Sequence, residues 1–151
     1  MAILRVAVIV AAVAGLSYAI ISAVVTGPPV VSDPLSTTAT LLVPPGNFTF
    51  LGGLITGEDF VVGNFTVVNP IGTLVGFSVY NSTEFSVLVQ HLPATPSLSL
   101  SPQTSGRIVF AAPYTDTFYL VWSNPYAPVT GLSVSVYVTT TYETNVGSGF
   151  G

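Results

Sequence analysis

The alternation of apolar and polar positions divides the chain into two unlike parts. Val6–Val25 reads VAVIVAAVAGLSYAIISAVV and holds no charged residue. From Thr38 onward, apolar residues come in short runs of period two, broken by Gly, Pro and Asn. A helix of about 20 residues, rising about 1.5 Å per residue, spans the roughly 30 Å of a bilayer's hydrocarbon core. Val6–Val25 has that length, and Thr26-Gly27-Pro28-Pro29 is a strong helix stop. The pattern predicts a transmembrane helix over 1–27, a Pro-rich linker over 28–37, a β domain over 38–144 and a flexible tail over 145–151.

Within the β domain, strands are expected at Thr38–Val43, Asn47–Leu54, Asp59–Val68, Leu74–Asn81, Phe85–Gln90, Ser97–Ser101, Gly106–Ala111, Thr117–Ser123 and Leu132–Tyr142. Turn signals separate them, such as Pro44-Pro45-Gly46, Thr56-Gly57 and Asn69-Pro70-Ile71-Gly72. In the last strand Leu132, Val134, Val136 and Val138 fall on one face and Ser133, Ser135, Tyr137 and Thr139 on the other. Thr117–Ser123 is apolar on both faces (Phe118, Leu120 and Trp122 against Tyr119 and Val121), which places it centrally. Phe48, Phe50, Phe65, Val67, Phe77 and Val79 are expected to supply the facing core. The fold class is an all-β antiparallel sandwich or jelly roll preceded by one N-terminal helix.

Composition changes this picture in one respect. Of 151 residues, 50% are hydrophobic and 5% charged, against about 25% charged in ordinary soluble domains. Beyond residue 27 the only Lys or Arg is Arg107, against six carboxylates: Asp33, Glu58, Asp59, Glu84, Asp116 and Glu143. With no lysine and no basic patch, nucleic-acid binding is excluded as a reading. Cysteine is absent, so the domain must stand on its core without disulfides. A surface this poor in charge must be kept wet by Ser, Thr, Asn and Tyr, or be covered by partners or glycans.

Three readings fit the apolar stretch. A cleaved signal would have an apolar run of about 7–15 residues and a small-x-small site near its end; here Ala12-Val13-Ala14 falls too early. A helix packed among its copies in a filament would use the small residues Ala11, Ala12, Ala14, Gly15, Ser17, Ala19, Ser22 and Ala23. This arrangement resembles archaeal pilins, which join an apolar N-terminal helix to a Ser/Thr-rich β-sandwich. A retained single-pass anchor needs the fewest assumptions. Arg5 then sets the N-terminus in the cytoplasm and the β domain outside.

The stretch from Ser105-Gly106-Arg107-Ile108-Val109-Phe110-Ala111-Ala112-Pro113 to Thr117-Phe118-Tyr119-Leu120-Val121-Trp122-Ser123-Asn124, followed by the alternating Ser133–Tyr142, resembles the GOLD-like β-sandwich. Leu41-Leu42-Val43-Pro44-Pro45-Gly46-Asn47-Phe48 and Gly57-Glu58-Asp59-Phe60-Val61-Val62-Gly63-Asn64-Phe65 extend the likeness, which covers roughly Thr40–Tyr142. That family forms the luminal module of eukaryotic cargo receptors. The resemblance implies a sandwich fold and a binding role. Its eukaryotic members carry a disulfide and an anchor after the domain; here cysteine is absent and the apolar stretch comes first.

Candidate chemistry is sparse. Asn47-Phe48-Thr49, Asn64-Phe65-Thr66 and Asn81-Ser82-Thr83 fit the N-glycosylation sequon. With Phe48 and Phe65 inward, the first two would project Asn and Thr outward together. His91 has no convergent partners for a triad or metal site and reads as a loop or edge residue. Glu58-Asp59 with Asp116 matches no calcium-loop spacing and reads as a solvated turn. Arg107 reads as a surface ion-pair partner of little energetic weight. Tyr114 and Tyr126, in Pro-flanked loops assigned to the same end of one central strand region, are interface candidates. Ala14 and Gly15 are interface candidates in the helix. No catalytic residue, metal ligand or cofactor is read from the sequence, and the chain is not expected to be an enzyme. The expected partners are the lipid bilayer and other membrane or surface subunits, copies of the chain among them. Pilin-like filament subunit and surface carbohydrate- or ligand-binding module are the alternatives.

Overall fold

The computed structural model describes residues 11–13, 16–18, 35–124 and 133–145. In the apolar stretch, β1 (Ala11–Val13) and β2 (Leu16–Tyr18) pair antiparallel. The rest of the expected membrane helix, Ala14 and Gly15 included, lies outside the described residues. Among the described residues no helix is long and apolar enough to cross a membrane.

Eight further strands form two four-stranded antiparallel sheets. They are β3 (Thr37–Val43), β4 (Phe48–Ile55), β5 (Phe60–Asn69), β6 (Val75–Asn81), β7 (Leu98–Gln103), β8 (Ser105–Ala111), β9 (Asp116–Ser123) and β10 (Val134–Glu143). One sheet runs β3-β10-β5-β8 and the other β4-β9-β6-β7. Every connection from β3 to β10 crosses between the sheets except β6 to β7. This is the strand order of a jelly roll.

The core lies where the two inner faces meet. Val134, Val136 and Val138 of β10 are buried while Tyr137 between them is exposed, as the period-two pattern requires. Phe65, Phe77 and Trp122 meet at the centre, with ring centroids 5.0–6.3 Å apart. Leu35, within the expected linker, is fully buried in this core. β5 and β10 approach closely at Gly63, where a Cβ would collide with the Thr139 carbonyl and the Thr140 Cα. A side chain there would force the strands apart.

The Phe85–Gln90 segment is not a strand. Ser82–Leu88 forms a helix, α1, lying on the outer face of the β4-β9-β6-β7 sheet. Asn81 caps it, its side-chain oxygen accepting from the Glu84 amide at 2.7 Å. Phe85, Val87 and Val89 read as strand alternation, but the cap and the apolar outer face of β9 favour helix. Phe85 stacks on Tyr119, centroids 3.8 Å apart and planes 10° from parallel. This corrects the expected place of Phe48 and Phe50. Both sit on the outer face beneath α1, in a second cluster with Phe85, Val121, Tyr119 and Leu88. Leu51 and Ile55 take the inward positions of β4. The two-sided apolar character expected of Thr117–Ser123 has the same cause: Phe118, Leu120 and Trp122 face the main core, Tyr119 and Val121 the cluster under α1.

Candidate functional site

The chain enters the sandwich at Leu35-Ser36 and is last described at Asn145, and hydrogen bonds bring these two points to one end. The Tyr142 amide donates to the Ser36 hydroxyl at 2.8 Å, and the Tyr142 hydroxyl donates to Asp59 at 2.8 Å. The Asn145 amide reaches the other Asp59 oxygen at 2.8 Å, and the Thr56 amide donates to the Tyr142 hydroxyl at 3.0 Å. Glu58, at φ 76°, turns the chain so that its amide meets the Ala112 carbonyl at 2.8 Å.

The same end carries the start of α1. The Ser82 hydroxyl and amide both donate to Asp116, at 2.8–3.1 Å, and the Thr117 amide adds a third donor. Partial burial pushes the Asp116 carboxyl up, but these donors outweigh it and hold the group below its ordinary range. Burial, and then the nearby Asp116 charge, push the Tyr119 hydroxyl up. Tyr114 lies here as well, accepting from Asn81 Nδ2 at 2.7 Å. Glu84, in the first turn of α1, accepts from the Thr95 amide at 2.7 Å. Glu58, Asp59, Glu84, Asp116 and Glu143, the five described carboxylates, therefore gather at the end where the N-terminal stretch enters.

The opposite end holds the Pro44–Asn47 and Pro70–Thr73 turns and the end of α1. It exposes Leu42, Val68, Ile71, Leu74 and Leu92 and, among the described residues, carries no charge. His91 is exposed there at φ 61°, its amide donating to the Leu88 carbonyl at 2.9 Å. It rims a groove of about 300 Å³ with Asn47, Phe48, Leu92 and Ser123. That lining has no carboxylate to orient the imidazole. Among the described residues, no group of three or more His, Asp or Glu side chains converges where a metal ion would sit. Glu58, Asp59 and Asp116 instead serve the turns and hydrogen bonds given above.

Tyr114 precedes β9, whereas Tyr126 follows its far end and lies outside the described residues. Arg107 is exposed on β8, paired in register with Asn64 on β5, and makes no ion pair among the described residues. The sequon asparagines fall into three settings. Asn64 is exposed. Asn47 lies in a turn, its side-chain oxygen accepting from the Phe48 amide, and Thr49 is buried beside the inward Leu51 rather than projecting outward. Asn81 is the cap of α1.

Sequence reading overlooked the lateral edges. β3 packs beside β4 along one side of the sandwich and β7 beside β8 along the other. The β7/β8 side carries Pro102, Arg107 and a register irregularity at Val75/Phe77, each of which discourages strand addition. The β3/β4 side, TTATLLV and FTFLGGLI, has neither charge nor proline and exposes Leu42 (58%) and Leu54 (60%). The signal was present in the residues, but which strands are edges is a matter of topology.

No protein-family model matches the chain, and no curated protein matches it.

Proposed function

We propose that this is a non-enzymatic, membrane-anchored protein whose extracytoplasmic β-sandwich acts by protein–protein contact, as an accessory or structural subunit of a membrane or cell-surface assembly. The observation that carries the reading is the contrast between the two lateral edges. An edge without charge or proline is a template for a strand of another chain, and among the described strands only the β3/β4 side is left so. Val6–Val25 supplies the anchor, with the N-terminus in the cytoplasm, and the GOLD-like pattern of Thr40–Tyr142 agrees with a binding module. The carboxylate-rich end, where the N-terminal stretch enters, then faces the membrane, and the uncharged end faces away.

A photo-reactive side chain at Leu42 or Leu54 in the protein in its own membranes tests this, with Val109 on β8 as the comparison. Cross-linked adducts are expected from 42 and 54 and not from 109, and Leu54→Lys with the probe at 42, or Leu42→Lys with the probe at 54, should abolish them. An adduct with a different chain identifies an accessory subunit; an adduct between copies favours the filament reading. Detergent extraction that yields a monomer without any adduct overturns the proposal.

A further inference from the structure

We infer that Asn64 is the position in this chain that carries an N-linked glycan, an inference that rests on the outward placement of the β domain. A sequon needs a reachable amide and a hydroxyl two residues on. On β5 the alternation buries Phe65 and leaves both Asn64 and Thr66 exposed on the outer face of the β3-β10-β5-β8 sheet. The other two sequons do not offer this pair. At the first, Thr49 is only 3% exposed. At the third, Asn81 spends its oxygen capping α1 and its nitrogen on the Tyr114 hydroxyl, so a sugar on Nδ2 would disturb that contact.

The surroundings of Asn64 suit a sugar. It lines an open groove of about 610 Å³ with Val62, Thr66, Ser105 and Arg107. The hydroxyls and the guanidinium supply donors and acceptors for a carbohydrate. Tyr137 and Val109 are both exposed on the same face, and a glycan rooted between them would cover apolar surface beside Arg107. In the modification, Nδ2 bonds to the anomeric carbon of a lipid-linked oligosaccharide. The bond from that carbon to the lipid phosphate breaks, the lipid phosphate leaves, and the amide proton passes to solvent.

Chymotryptic mapping by mass spectrometry of the protein purified from its native membranes tests this, alongside proteolysis of intact cells. The glycan is expected on the Asn64 peptide, with the Asn47 and Asn81 peptides bare. Asn64→Gln and Thr66→Ala should each remove the mass increment completely. A bare Asn64 overturns the inference, as does a glycan at Asn47 or Asn81. If external protease digests the domain and Asn64 is bare, the glycan inference fails and outward placement stands. If the domain resists protease on intact cells and is digested after lysis, outward placement itself fails.

Discussion

Thr140 shows what a single side chain contributes. It continues the inward row of Val134, Val136 and Val138 and is 3% exposed, yet its hydroxyl has no hydrogen-bond partner among the described residues. A buried polar group left unpaired costs about 1–3 kcal/mol. Thr140→Val replaces the hydroxyl by a methyl of similar size and should stabilise the fold by about 1 kcal/mol. Thermal unfolding checks this, and a lowered midpoint would show that the hydroxyl is satisfied. The same row was legible in the sequence up to Val138. Thr140, within the expected strand Leu132–Tyr142, carries the row one step further, beside Gly63 of β5 in register.

At the scale of elements, α1 is the informative case. Asn81-Ser82-Thr83-Glu84 has the spacing of a capping box, the signal that could have identified the helix. Only half of it forms: Asn81 receives the Glu84 amide, while the Glu84 carboxylate goes to the Thr95 amide instead. The Ser82–Asp116 contacts then tie the helix start to β9. Because the folded-state pKa of Asp116 is lowered, its stabilisation is fully present well above the unfolded value of about 4. It is lost as the pH falls through that value toward the folded pKa. Unfolding midpoints measured across this range should therefore drop on acidification, and Asp116→Asn should lessen the drop. An identical acid dependence in the variant would exclude Asp116 as a contributor.

At the scale of the molecule, the carboxylates and the N-terminal entry share one end and the uncharged loops the other. The proposed anchor sharpens what the N-terminal stretch must do. A two-stranded ribbon such as β1–β2 leaves backbone groups unpaired, which hydrocarbon does not tolerate, so a span requires Val6–Val25 to be helical. Circular dichroism of a peptide covering residues 1–30 in lipid vesicles should show a helical spectrum. A strand spectrum there would count against the anchor and leave the sandwich edge as the surviving contact surface.

The chain alone determined the strands. Eight of the nine expected are present within a residue or two at most boundaries, because period-two burial and Pro/Gly turns are local properties. It also determined that β9 is apolar on both faces. Tertiary structure decided what depends on neighbours. The outer face of β9 drew 82–88 into a helix and turned Phe48 and Phe50 outward. The strand order made β3 and β4 the unguarded edges, and the pairing of β5 with β8 set Asn64 beside Arg107. Edges, poles and sequon access arise from residues far apart in sequence, and only the folded chain brings them together.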